Sequence, residues 1–247
     1  GDELVSKANG ARFHVGPFET PTLEELRQRW RGSPARSGGD GLAFQNVTGN
    51  ARSLHQDPQN AGAVFQVASQ FNCLEMNEPG ARPDDGVTRY YNDKTQGPAC
   101  ALTCPAGTVY RNYLVNGGRG QGHGNQVDCL RDAGDLLQNG REHYWKMVNG
   151  YCMPHSLDSI GRLSKAIGAD PALPDALRSQ IRVGVHWSTA VKSCRHRVCQ
   201  VFCSALPVAY AKSTRSVDWA PFATIVLEAV YEATLTAAAV LAAQSGS

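Results

Sequence analysis

Two short segments carry side chains whose types and spacing fit ligand chemistry. In Asp93-Lys94-Thr95-Gln96-Gly97-Pro98-Ala99-Cys100-Ala101-Leu102, Thr95 or Gln96 can cap a helix and Gly97 lets the backbone approach a ligand closely. Pro98 fits a first helical turn, where its missing N–H costs nothing. Such a start leaves amides pointing outward at the positive end of the helix dipole, a receptor for a diphosphate. A plain helix start has the same appearance, and both readings stand at this level. Upstream, Gln70-Phe71-Asn72-Cys73-Leu74-Glu75 closes an apolar run with polar groups. In open α/β sheets ligands gather beyond the carboxyl ends of strands, so Asn72 and Glu75 stand where a ribose or base would meet them. An amide donates and accepts at once, and a carboxylate can hold a sugar hydroxyl or an attacking water. Asn at a strand end is also a common turn former.

The eight cysteines offer three further chemistries. A metal site would draw on Cys194, His196, Cys199 and Cys203, joined by Cys152 or His155. Cys199 and Cys203 fall four apart in an expected strand, roughly 13 Å from each other by strand rise, too far to share one ion. No metal ligand and no cofactor is therefore assigned. A disulfide framework is disfavoured because a domain of this length can bury a sufficient core without staples. A Cys/His hydrolase would use Cys100, its thiol activated at the helix start, with His123, His186 or His196 as base. No motif around Cys100 supports that reading.

The elements that must position these groups follow from pattern. A helix is expected after Thr22, with Glu24 and Glu25 in its first turn and Leu23, Leu26 and Trp30 on one face. The stretch from Gly32 to Gly41 has linker composition, so residues 1–41 read as a loose N-terminal extension and 42–247 as the domain. Ala63 to Leu74 reads as a strand, and so does the β-branched and aromatic run Thr108 to Val115. Five glycines between Gly117 and Gly124 read as a mobile loop before a helix around Val127 to Leu137. Helices are expected over Leu157–Ile167 and Leu173–Ile181, and strands over Val183–Val191 and Val198–Leu206. A long helix runs from Asp218 as its cap through Leu241. Strands alternating with helices give an α/β sheet flanked by helices.

Composition removes several function classes. With 24 Lys+Arg against 22 Asp+Glu over 247 residues, the net charge of +2 supplies no field to attract a nucleic acid. Glu228 and Glu232 interrupt the apolar stretch from Ile225 to Ala243, so no membrane span is expected. Gly1 to Val15 holds no apolar core of signal-peptide length, although a processed chain would have lost one. These features suggest an intracellular, cytoplasmic protein. The triplet Asn46-Val47-Thr48 is too common by chance to change that.

Taken together, the segments resemble a divergent macrodomain, the ADP-ribose-binding α/β/α module, and within that group an uncharacterised subgroup. Gln70-Phe71-Asn72 resembles the family strand that ends in asparagine, and Thr95 to Ala101 its glycine-containing loop and helix. Val201 to Pro207 resembles a central strand, and Ala220 to Ala243 the helix before its second phosphate loop. The resemblance implies a three-layer α/β/α fold with a mixed central sheet, a long insertion at roughly 116–195 and an N-terminal arm. It also implies binding, with hydrolysis left open, of ADP-ribose or a related nucleotide derivative. Gln70, Asn72, Thr95, Gln96, Gly97, Pro98, Ala99 and Cys100 would contact the ligand, with Asn72 on the distal ribose and the amides of Gly97 to Ala99 on the diphosphate. Glu75 or Asp93 would serve as base for a water. The family's consecutive glycines are reduced here to Gly97. The sequence ends at Ser245-Gly246-Ser247, before the strand and loop with which the family closes over the diphosphate, so a weaker phosphate site is expected. The alternative is a non-catalytic assembly subunit on a degenerate fold, with a partner protein chain as its ligand.

Overall fold

A computed structural model describes residues 3–33, 43–75, 78–93 and 95–245, so most of the expected linker lies outside the described residues. In chain order the elements begin with β1 (Glu3–Val5), β2 (Arg12–His14), β3 (Phe18–Glu19), α1 (Leu23–Arg31), α2 (Ala51–Gln56), β4 (Val64–Ser69), α3 (Gln96–Thr103) and α4 (Pro105–Tyr113). There follow α5 (Val115–Gly118), α6 (Arg131–Leu136), α7 (Asn139–Glu142), β5 (Trp145–Val148), β6 (Tyr151–Pro154), α8 (Ser159–Ala169) and α9 (Leu173–Gln180). The chain closes with β7 (Gly184–Ala190), β8 (Arg197–Ser204) and α10 (Ser216–Ser245).

The central sheet has strand order β3-β7-β8-β4 and is mixed. β4 runs parallel to β8, with Val64 opposite Cys199 and Ser69 opposite Ser204. β7 is antiparallel to both β8 and β3. β8 is buried from Val198 to Ser204, as its continuous apolar run requires of a strand covered on both faces. Its alternate side chains meet different helices. Cys203 donates to the Val230 carbonyl of α10. On the opposite face, Gln200 donates to the Cys100 carbonyl of α3, and the Arg111 guanidinium of α4 lies 3.6 Å from the Phe202 ring centre.

α1 starts as its sequence dictates: Thr22 Oγ1 accepts from the Glu25 N–H and the Glu25 carboxylate accepts from the Thr22 N–H, a reciprocal capping box. Yet the segment expected as a loose extension is built into the core. Its β3 forms the sheet edge, and Leu23 and Leu26 of α1 are fully buried against α10. The expected insertion likewise supplies β7, an interior strand.

The run Thr108 to Val115 is not a strand. Pro105 opens helix α4, and Thr108, Arg111 and Asn112 are buried at helical spacing. Gly107 permits this helix to lie on β7, where a Cβ would stand 3.1 Å from His186 Nδ1 and 3.1 Å from Thr189 Oγ1. Of the helix expected over Val127–Leu137, only α6 forms. The glycine loop is tied down by Gln121, whose amide donates to the carbonyls of Asn72 and Arg111.

α10 is long and apolar enough to cross a membrane by length and composition alone. One face of it packs into the core. Trp219, Phe222, Val226, Ala229, Ala233 and Ala237 are buried, and Arg27 of α1 and Arg178 of α9 pair with Glu232 and Glu228 on its outer side. Asp218 lies in its first turn and pairs with Arg215, rather than capping it.

Candidate functional site

The parallel strands β4 and β8 end side by side, and a cavity of about 750 Å³ opens beyond their carboxyl ends. That volume lies within the range of small-molecule sites. Ser69 and Gln70 bound it from the end of β4, and Ser204 and Leu206 from the end of β8. Gln96 reaches it from the start of α3, and Leu227, Val230 and Tyr231 close it from α10. Tyr151 enters from the β5–β6 hairpin, and Tyr210 from the turn before α10. Tyr151 and Tyr210 meet edge to face with ring centres 5.4 Å apart. Burial, followed by the neighbouring Tyr210, pushes the Tyr151 phenol up, so it stays neutral. Among the described residues the lining contains no charged side chain.

The hairpin follows from Asn149-Gly150, whose φ values of 48° and 84° give the paired left-handed turn that matches strand twist. That dipeptide is the sequence signal that would have found Tyr151. Tyr210 and Tyr231 carry no such signal, because only the packing of α10 across the sheet brings them to the cavity.

The expected site residues separate. Gln70 and Gln96 face the large cavity. The Gln96 side chain is engaged with the outer edge of β4: it accepts from the Ala68 N–H at 2.9 Å and donates to the Gln66 carbonyl at 3.0 Å. Ala99 and Cys100 line a smaller cavity of about 350 Å³ together with His55, Phe65 and Gln96. Asn72 is fully buried, and its polar atoms are occupied by protein. Its Oδ1 accepts from the Leu74 N–H, its Nδ2 donates to Gln126, and its carbonyl accepts from Gln121. The Asp93 carboxylate accepts from both the N–H and the hydroxyl of Thr95, which fixes the turn into α3. Gly97 and Pro98 are buried in that helix.

Glu75 explains why position 97 is glycine. A Cβ there would lie 1.9 Å from Glu75 Oε1 and 2.7 Å from the Ala68 carbonyl oxygen. The space beside Gly97 is thus filled by a carboxyl group, and the Ala99 N–H expected to meet a diphosphate donates to the Thr95 carbonyl at 3.0 Å. Burial first, and then the Asp93 charge, push Glu75 up to about 8, with Gln70 and Arg111 opposing. Glu75 Oε1 is buried without a hydrogen-bond partner. At neutral pH the group is a buried carboxylic acid rather than the base that the sequence suggests, and it lines neither cavity.

The Cys/His arrangement finds no support in the geometry. Burial pushes the Cys100 thiol up to about 12, overriding the helix start. His196 donates through Nε2 to the His55 carbonyl at 2.8 Å, His123 sits in the exposed glycine loop, and His186 is held under α4 by Arg111. The imidazole in the cavity of Cys100 is His55, stacked on Phe65 with ring centres 3.7 Å apart and held well inside the core. Among the described residues no group of three or more His, Cys, Asp or Glu has the geometry to hold a metal ion.

No protein-family model, curated protein or solved structure matches this chain.

Proposed function

We propose that the chain binds an ADP-ribose-like nucleotide derivative through its nucleoside part, in the cavity beyond β4 and β8. The observation that carries this reading is the lining: the Gln70 amide at a strand end, serine hydroxyls and tyrosine rings, with no charged group among the described residues. Such a surface suits a flat base and a hydroxyl-bearing sugar, which stack on rings and exchange hydrogen bonds with amides. It does not suit a diphosphate, which calls for cationic or free-amide partners. Glu75 lies outside this lining, and a general acid must come within hydrogen-bond reach of the group it protonates, so the reading is one of binding alone.

Calorimetry with adenosine and with ADP-ribose tests the reading. Both are expected to bind with affinities within a few fold of each other, and Gln70→Ala is expected to weaken both about tenfold, the equivalent of one hydrogen bond. No heat from either ligand at millimolar concentration would refute nucleoside binding. A second reading, a non-catalytic assembly subunit, draws on Leu227, Tyr231 and Leu235, which form an exposed apolar stripe on α10. Sedimentation showing a monomer at high concentration would count against it.

A further inference from the structure

Cys73 and Cys129 lie 56 positions apart in sequence, yet their sulfurs are 3.6 Å apart in the core. Three backbone segments are laced together around them. The Cys129 N–H donates to the Phe71 carbonyl at 2.9 Å, and the Cys129 carbonyl accepts from the Arg182 N–H. Cys73 has a left-handed backbone with φ of 61°, in the turn that follows β4. Gly184 on β7 makes room for its thiol: a Cβ there would sit 2.6 Å from Cys73 Sγ. Both residues are buried, at 1% and 3% exposure. A disulfide needs sulfurs about 2.05 Å apart, so the existing contact must close by about 1.5 Å. The third nearby thiol, Cys203, is turned toward α10, where it meets the Val230 carbonyl and the Thr234 hydroxyl.

We propose that Cys73 and Cys129 form an intramolecular disulfide when the chain folds in the presence of a small-molecule disulfide such as oxidised glutathione. One cysteine, as thiolate, attacks oxidised glutathione and expels one glutathione thiolate, leaving a mixed disulfide. The second cysteine loses its proton and attacks the protein sulfur of that mixed disulfide, expelling the other glutathione. The two protein S–H protons end on the two glutathione thiolates, and one S–S bond replaces another. Exchange takes place while the turn after β4 is open, because the closed fold shields both sulfurs. The bond ties the turn bearing Asn72 and Glu75 to the segment whose Gln126 holds Asn72, which fixes the wall behind Gln70.

The full chain, refolded with oxidised glutathione and then denatured, provides the test by thiol titration and by mass mapping of tryptic peptides. Six free thiols are expected in place of eight, with a reducible link between the peptides that carry Cys73 and Cys129. The linked protein should melt on the order of 10 °C higher than the reduced one, as expected for closing a loop of this length in a chain of this size. Cys129→Ala should retain seven free thiols under the same treatment. Eight free thiols at every oxidant ratio, or a link from either cysteine to Cys203, would overturn the proposal.

Discussion

Removing the ionisable group at position 75 should make the protein more stable in alkali, and by an amount the structure sets. In the unfolded chain Glu75 titrates near its ordinary 4.5, and in the fold near about 8. Between those values the folded state binds more protons than the unfolded state, so stability falls as pH rises through this window. Below pH 4.5 both states are protonated and nothing is lost. At pH 7 the fold has given up about 3 kcal/mol at 1.36 kcal/mol per unit, and above pH 8 about 5 kcal/mol. Glu75→Gln keeps the shape and removes the charge. Its urea midpoint should match that of the parent near pH 4.5 and move progressively above it at pH 7 and pH 9. With an m value for a chain of this size of about 3 kcal/mol per molar, the gap at pH 9 is about 1.5 M urea. Parallel midpoint curves from pH 4.5 to pH 9 would show that Glu75 is not held neutral by burial.

Gly97→Ala pushes a Cβ into both the Glu75 carboxyl and the Ala68 carbonyl, and only the first can move. A loss of about 3 kcal/mol, at the upper end for overpacking, is expected by denaturant titration. That loss should shrink in Glu75→Ala, because one of the two clashes is then gone. Arg111 is fully buried, donates to the Cys73 carbonyl, His186 and Thr108, and covers the Phe202 ring. Arg111→Ala leaves those acceptors without a donor beside a void, so a loss of about 3–5 kcal/mol is expected. Arg111→Met, which refills the space, should recover part of it in thermal melts.

Local signals in the sequence carried as far as local physics reaches. The capping residues of α1 and the two-sided burial of β8 are each decided within a few residues and read correctly, whereas α3 starts at Gln96 with neither Thr95 nor Gln96 capping it through a side chain. α4 is misread because Thr108, Val109, Tyr110 and Tyr113 have strand-like side chains. Its helical period shows only in which residues are buried, and Arg111, a charged residue, is one of them. β3 is two residues long and exists because β7 offers it an edge, so no pattern within Phe18-Glu19 reveals it. At the site, Gln70 and Gln96 are legible from their places at a strand end and a helix start. Asn72 occupies an equally suggestive place but is folded inward by the left-handed turn at Cys73, a position where a non-glycine residue gives no warning. The tyrosines come from three separate elements, and only the β5–β6 turn announces itself.

The hold of Gln96 on β4 bears on how this sheet ends. β4 is an outer strand, and a bare outer strand is a template on which another chain can grow. One side-chain amide, donating to Gln66 and accepting from Ala68, copies the pairing that a neighbouring strand would make at that spot. It is in effect a fifth strand one residue long. The sheet thereby carries its own stopper midway along β4, and any chain adding there must first evict it. The residue that blunts self-association is the same one that faces the cavity, so a ligand competing for the Gln96 amide would uncover a sticky edge as it bound.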